Sequence, residues 1–240
     1  LTNRANELAK QLKLALPIIA QALKESSTFN PQNSDITFRF TATDYTEFSL
    51  LPKLTSHLAQ VAPNIQLKVL PAQQPTPTQH LEHNEVDFAL GFSHQTFRSS
   101  TVDHFTWLTD SYCTIARKCH PALNQGLSLD SYLKLSHLRI APWGENKGIV
   151  DQQLDKLKLK RHVALQLPSL MAAPHIIASS EHLLTMPKKM AKQLAQQVAI
   201  DIYQTPINIP DYHLNVYWQK INSNKASILW MCNQIKSLFS

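Results

Sequence analysis

Glycine is scarce in this sequence, with four residues in 240. Loops that cradle phosphates or dinucleotides need several glycines in close order, so neither can be built here. The Gly-x-Ser-x-Gly elbow of the α/β-hydrolases is missing as well. Cysteine is nearly as rare, represented by Cys113, Cys119 and Cys232. An odd count without framework spacing excludes a disulfide-stapled scaffold and fits a reducing compartment, so a cytoplasmic location is expected. Cys113, Cys119 and His120 stand close together in the chain, yet their spacing matches no zinc pattern. His80 and His83 can share a helix face, but a solvated pair is the more ordinary reading. No metal, cofactor or enzymatic activity is expected. Apolar runs are short too: none approaches the ~18–20 residues needed to span a bilayer, and the given sequence shows no signal-peptide pattern, which a mature exported protein would also lack. No membrane partner is expected. The first residue is Leu1, so the chain is expected to be a piece of a longer protein.

What is present describes an ordinary globular protein. Hydrophobic residues make up 43% and charged residues 17%, enough for one large core or two modest lobes. Lys and Arg outnumber Asp and Glu by 23 to 17, a formal charge of +6 that favours acidic partners without proving nucleic-acid binding. The positive charge is scattered, with clusters at Lys156, Lys158, Lys160 and Arg161 and at Lys188, Lys189 and Lys192. Such clusters read as solvated helix faces.

The chain opens on a helical pattern. Leu1, Ala5, Leu8, Leu12, Ala15, Ile19 and Ala22 step by four and three, laying an apolar seam along one side of residues 1–25. Thr2 can cap its start. Pro17 removes a hydrogen bond and clashes with the preceding turn, at about 3 kcal/mol, so a break is expected near Leu16. The seam can pack on its own domain or on a second chain; the second is the expectation. Residues 26–35 are polar, rich in turn formers and contain Pro31, and read as a linker.

Strands and helices alternate from there. Strands are predicted over Ile36–Thr43, Ile65–Leu70 and Val86–Phe92, with helices over Thr46–Val61 and around Thr78–His83. Pro52 is expected in the first turns of the longer helix, where it is tolerated. The second half predicts strands at Cys113–Arg117, Leu138–Ala141, Val163–Leu167, Leu183–Thr185, Ile200–Tyr203 and Tyr212–Trp218. Helices are predicted at Gly148–Leu157, near Ala172–Ser179, around Lys188–Gln196 and at Lys225–Phe239. This order implies α/β architecture with parallel pairing through right-handed crossovers. It divides the chain into a first lobe of residues 36–110 and 211–240 and a second of residues 111–210.

Several ordered segments resemble one family. LTNRANELAKQL is similar to the start of the linker helix of LysR-type transcriptional regulators. FRFTATDYTEFSLLPKLTSHLAQVAPNIQL and EVDFALGF resemble the first lobe of their effector-binding domain. ARKCHPAL, APWGENKGIVDQQL, LPSLMAAPHIIASS and LLTMPKKMA resemble the second lobe, and NVYWQKINSNKASILW the ending. Each segment is short, but their order and spacing cover nearly the whole chain. The nearest branch contains the nodulation and nitroaromatic-degradation regulators. The resemblance implies two Rossmann-like lobes in a type 2 periplasmic-binding-protein-like fold, and an N-terminal linker helix. It also implies a small-molecule effector between the lobes and assembly into a homodimer or homotetramer. The partner chain would pack against the long helix from Thr46 and the second-lobe helix near Ala172. The family's N-terminal winged helix-turn-helix has no counterpart in this sequence, so DNA is expected as a partner only through that absent domain. Two positions depart from the family pattern: Pro17 in the linker helix, and Gln219 after Trp218, where many members have histidine.

In such an architecture the ligand cleft lies at the carboxyl ends of the strands, between the lobes. Following each strand to its end gives a shortlist. Thr43, Asp44 and Tyr45 open the long helix, where hydroxyls and N–H groups can hold a ligand acceptor. Asp44 can equally be a simple N-cap. An aspartate there would also fill an anion site, which argues against a ligand carboxylate at that position. Gln73 follows the second strand, and Phe92 and His94 end the third. His94 can sense pH or bind a polar group, although loop histidines are more often only solvated. Trp143, Pro168, Ser169, Thr185 and Met186 follow second-lobe strands. Phe92 and Trp143 can sandwich a flat ligand, or be core. The predicted function is therefore the effector-sensing and oligomerising part of a regulator, in which ligand entry alters the spacing of attached DNA-binding heads. The alternative is an exported solute-binding protein of a transporter with the same fold.

Overall fold

The computed structural model describes residues 29–72, 78–93 and 99–239, together with positions 4 and 12. The helix expected over residues 1–25, with its seam and its break near Leu16, lies almost wholly outside those residues. Gln73 and His94 lie outside them too.

Among the described residues, ten strands form two five-stranded sheets. The first contains β1 (Thr37–Ala42), β2 (Gln66–Pro71), β3 (Phe88–Ser93), β4 (Val102–Asp110) and β10 (Tyr212–Gln219), in the order β2-β1-β3-β10-β4. The second contains β5 (Tyr112–Arg117), β6 (Ser136–Ile140), β7 (His162–Leu167), β8 (Leu183–Pro187) and β9 (Ile200–Tyr203), in the order β7-β6-β8-β5-β9. The helices are α1 (Asp44–Val61), α2 (Thr78–Glu82), α3 (Leu129–Lys134), α4 (Ile149–Lys156), α5 (Ala173–Ala178), α6 (Lys188–Leu194) and α7 (Ala226–Ser237).

Expected parallel pairing is found for β1 with β2 and β3, and for β6 with β7 and β8. It is not the whole arrangement. β10 runs antiparallel between β3 and β4, and β5 runs antiparallel between β8 and β9. Each of these strands arrives from the other sheet, so the two halves exchange a strand at the same place in the order. The chain crosses at Ser111 and again in the segment between Tyr203 and Tyr212.

Local chemistry explains where the site-bearing elements begin and end. β1 buries Phe38, Phe40 and Ala42 at the two-residue period of a pleated strand. The helix that follows buries Leu50, Leu54 and Leu58, spaced one helical turn apart. Thr43 is its N-cap: the Thr43 hydroxyl accepts from the Thr46 backbone, and the Thr46 hydroxyl accepts from the Thr43 N–H at 2.9 Å. The helix thus starts at Asp44, two residues before the predicted Thr46, and the capping role considered for Asp44 belongs to Thr43. Pro52 consequently lies in mid-helix, not in the first turns; its exposed face tolerates the one hydrogen bond it removes.

Two elements were not predicted. α3 is six residues long, too short to show a helical period. The sequence of β4, VDHFTWLTD, alternates poorly, because its register with β10 shifts at Leu214/Asn215 and its burial is correspondingly irregular. α7 returns to the first sheet, setting Phe239 against Trp107 at 4.7 Å and Gln234 against His57 at 2.7 Å. One apolar cluster runs from Phe40 and Leu54 through Tyr45 and Tyr212 to Ile115 and Ile177, so the two sheets share a continuous core at the crossing.

Candidate functional site

The two crossing segments meet at a buried carboxylate. Asp110 ends β4, is 7% exposed, and has four donor groups within hydrogen-bond distance. The Lys189 N–H donates at 3.0 Å and the Ser111 N–H at 2.8 Å. The Tyr212 and Tyr45 hydroxyls lie 3.1 and 3.3 Å from the carboxylate and 2.7 Å from each other, and share their two protons among these three contacts. Burial raises the phenol pKa of Tyr45, Tyr112 and Tyr212, and the charge of Asp110 adds to the effect, so all three stay protonated at neutral pH. Lys189 ties the same point from the second half, donating its ammonium to the Thr109 carbonyl at 3.0 Å.

Between this hinge and solvent lies a cavity of about 330 Å³. A cavity near ~150 Å³ holds benzene, so there is space for a molecule of roughly one or two rings. Its first wall is built by Thr43, Asp44 and Tyr45 at the start of α1, with Phe92 from β3. Tyr112 and Tyr212 close the hinge end. The second-sheet wall is mostly apolar, through Leu138, Ile140, Ile149, Val150 and Met186, with Thr185, Arg139 and Arg161 supplying polar groups.

Contacts between the two sheets bridge the rim on both sides. The Trp143 indole N–H donates to the Ala72 carbonyl at 3.2 Å, and its ring stacks on Phe92 at 5.5 Å and 25°. At the other side Asp44 bonds Ser169, Leu170 and Met171, with the Ser169 hydroxyl at 2.8 Å and the Met171 N–H at 3.1 Å. Residues 71 positions apart are thus held together at one edge and 125 or more at the other.

The second-sheet wall carries two guanidinium groups on one carboxylate. Asp151 accepts from Arg161 at 2.8 Å, from Arg139 at 3.5 Å and from the Gly148 N–H at 3.0 Å. Burial disfavours its charge, but Arg161, Gly148 and Arg139 outweigh that and hold the carboxyl below its ordinary range. Arg139 also donates to the Asn146 carbonyl and to Gln166, while its Nε is buried without a partner among the described residues. Behind this wall the His137 ring bonds the Tyr132 carbonyl at 2.7 Å. Burial pushes its pKa down to about 4.

Seven shortlisted residues come together around the cavity: Thr43, Asp44, Tyr45, Phe92, Trp143, Thr185 and Met186. Ser169 stands at the rim, bonded to Asp44. Pro168 is exposed and does not line the cavity. The sandwich geometry considered for Phe92 and Trp143 is not the one found. The rings stack on each other, leaving no gap for a third ring between them. Thr185 is engaged inside its own half, with the Tyr132 hydroxyl at 2.8 Å. Arg161 was grouped with a solvated basic cluster, yet its side chain is 3% exposed and paired with Asp151. Sequence reasoning also missed Arg139, Tyr112, Tyr212 and Asp110. Arg139 carried one usable signal, a charged residue between the apolar Leu138 and Ile140 of a strand.

Among the described residues no group of three His, Cys, Asp or Glu side chains is placed to hold a metal, and no helix is long and apolar enough to cross a membrane.

Comparison with known proteins agrees with this architecture. Residues 32–240 match the family model described as the LysR substrate binding domain. The transcriptional activator NahR of Pseudomonas putida is 25% identical over 241 residues, spanning 100% of this chain and 79% of the relative. Nodulation protein D 1 of Sinorhizobium fredii is 25% identical over 232 residues, spanning 96% of this chain and 71% of the relative. A solved structure described as a probable transcriptional regulator from Pseudomonas aeruginosa superposes with a TM-score of 0.84. It is 35% identical and covers 98% of this chain and 78% of its own. The regulatory domain of MexT from the same organism has a TM-score of 0.75 at 23% identity, over 85% of this chain and 98% of its own, which speaks to the fold alone. These relatives are transcriptional regulators and not enzymes.

Proposed function

Because the chain belongs to the LysR family and is the effector-binding regulatory domain of a transcriptional regulator, we propose that it senses a small molecule held in the cavity between its sheets. The observation that carries this reading is the cavity itself: side chains from opposite sheets bridge its rim on two sides, over a mostly apolar interior with a few polar groups. Space of this kind at the carboxyl ends of strands suits a small ligand that binds one lobe arrangement better than another.

The ligand acts through the two crossing segments. A molecule that favours the closed arrangement shifts the lobes towards it by no more than its difference in affinity for the two states. That shift reaches DNA through heads attached by way of residues 1–25, in a cytoplasmic homodimer or homotetramer. Thr43, Tyr45 and Phe92 on one wall, with Thr185 and Met186 on the other, are the proposed contacts. Family membership sets aside the solute-binding-protein alternative.

A thermal-shift screen of small aromatics, acids and amides against this domain tests the reading. A true ligand raises the melting temperature of the wild type and loses most of that effect in Phe92→Ala and Thr43→Ala. A shift that both variants retain in full rejects the cavity as the site.

A further inference from the structure

Asp44 does something its own helix does not require. Thr43 and Thr46 already cap α1, so the aspartate is free of that duty. Its Oδ1 accepts only the adjacent Tyr45 N–H, at 2.8 Å. Its Oδ2 crosses the cleft and takes three donors of the Ser169–Met171 turn, a hydroxyl and two consecutive backbone N–H groups. Consecutive N–H groups converging on one oxygen bind carboxylates generally, whatever molecule carries them. Asp44 and Leu170 line the cavity, whereas Ser169 and Met171 do not. The carboxylate therefore meets those donors at the edge of the ligand space.

We propose that Asp44 is a built-in stand-in for a ligand carboxylate: it latches the cleft shut with no ligand bound, and it is a specificity-determining residue that bars anionic groups from the α1 end of the cavity. A ligand placing an anion there meets a like charge a few ångströms away, with the three donors already used. A neutral group at the same end meets neither obstacle. The inference rests on the proposed sensing role only for the word ligand, since the latch is a contact between residues of this chain.

Acetate is the probe, with chloride at equal ionic strength as its control, because acetate is the aspartate side chain in free form. Asp44→Ala is expected to lower the melting temperature and to increase the radius of gyration in solution scattering. Millimolar acetate, but not chloride, should restore at least half of both changes. The wild type, with its donors occupied, should respond to neither salt. Asp44→Asn, which keeps the shape without the charge, guards against a variant that fails to fold and should show the same opening to a smaller degree. Ser169→Ala keeps the carboxylate and should show no acetate response. The latch is overturned if both Asp44 variants remain as compact and as stable as the wild type, or if acetate acts equally on wild type and variant. No effector enters these measurements, so an empty ligand screen leaves the latch standing and a failed rescue leaves the sensing role standing.

Discussion

Asp110 and Asp44 are both carboxylates that tie one sheet to the other, one buried at the crossing and one at the rim of the cleft. Asp110 lies at the crossing, 7% exposed, with two phenols and two backbone N–H groups around it. Asp44 lies at the rim, half-buried, holding a turn whose last residue, Met171, is 38% exposed. The number of donors is similar, but their access to water is not. Remove the rim carboxylate and solvent can reach the freed donors. Remove the hinge carboxylate and the donors of a closed interior have nowhere to turn. One contact is suited to stay and the other to exchange, which is the division of labour a cleft that opens and closes requires.

The largest effect should come from breaking the hinge. Asp110→Ala is expected to cost about 3–5 kcal/mol, the range for removing one partner of a buried charged network. Urea denaturation measures it, and a loss under ~1 kcal/mol would place the hinge on the same footing as the rim. Acid asks next whether the interior or the rim limits stability. His137 ionises near 6.5 when unfolded and at about 4 when folded, because burial disfavours its charged form. The unfolded chain therefore binds the extra proton first. Stability is whole above pH ~6.5 and declines as the pH falls to about 4, by up to about 3 kcal/mol. His137→Gln should flatten denaturation midpoints across that window; a slope that persists would point to groups elsewhere. The smallest effect belongs to the rim. Trp143→Phe keeps a ring against Phe92 but loses the bond to the Ala72 carbonyl, and should cost less than ~1 kcal/mol. A cost equal to that of Asp110→Ala would erase the distinction between hinge and rim.

Much of this layout was legible in the sequence because much of it is local. The β1-to-α1 junction announces itself through alternation over Ile36–Thr43 and apolar residues at helical spacing from Phe48, which put Thr43, Asp44 and Tyr45 at the strand's end, although the cap is Thr43 and not Asp44. Ile200–Tyr203 was read with the same ends as the strand observed. Failures fall where distant pairing decides. β4 takes its uneven burial from a register shift opposite Leu214, a hundred residues away. Arg161 sits in a run of lysines and is told apart from them only by Asp151 reaching it from α4. Asp110 and Tyr212 are unremarked in their own segments and acquire meaning when the two crossings lie side by side. The partnership of Asp44 with residues 169–171 has no local sign at all.

The position of β10 has a consequence for how the protein is made. The second sheet is encoded without interruption from Tyr112 to Tyr203, and is complete once that stretch has left the ribosome. The first sheet is not: after Asp110 has emerged, β3 still lacks the neighbour that covers its outer edge, and β4 has nothing to pair with until residues 212–219 arrive. Domains generally mature from the N-terminus, but here the half synthesised first must be finished last. Until then β3 presents an open row of hydrogen-bonding groups to other nascent chains. A fragment ending before Tyr212 would carry that exposed edge permanently. Of the two sheets, the one beginning at Tyr112 is the one whose strands are contiguous in the sequence.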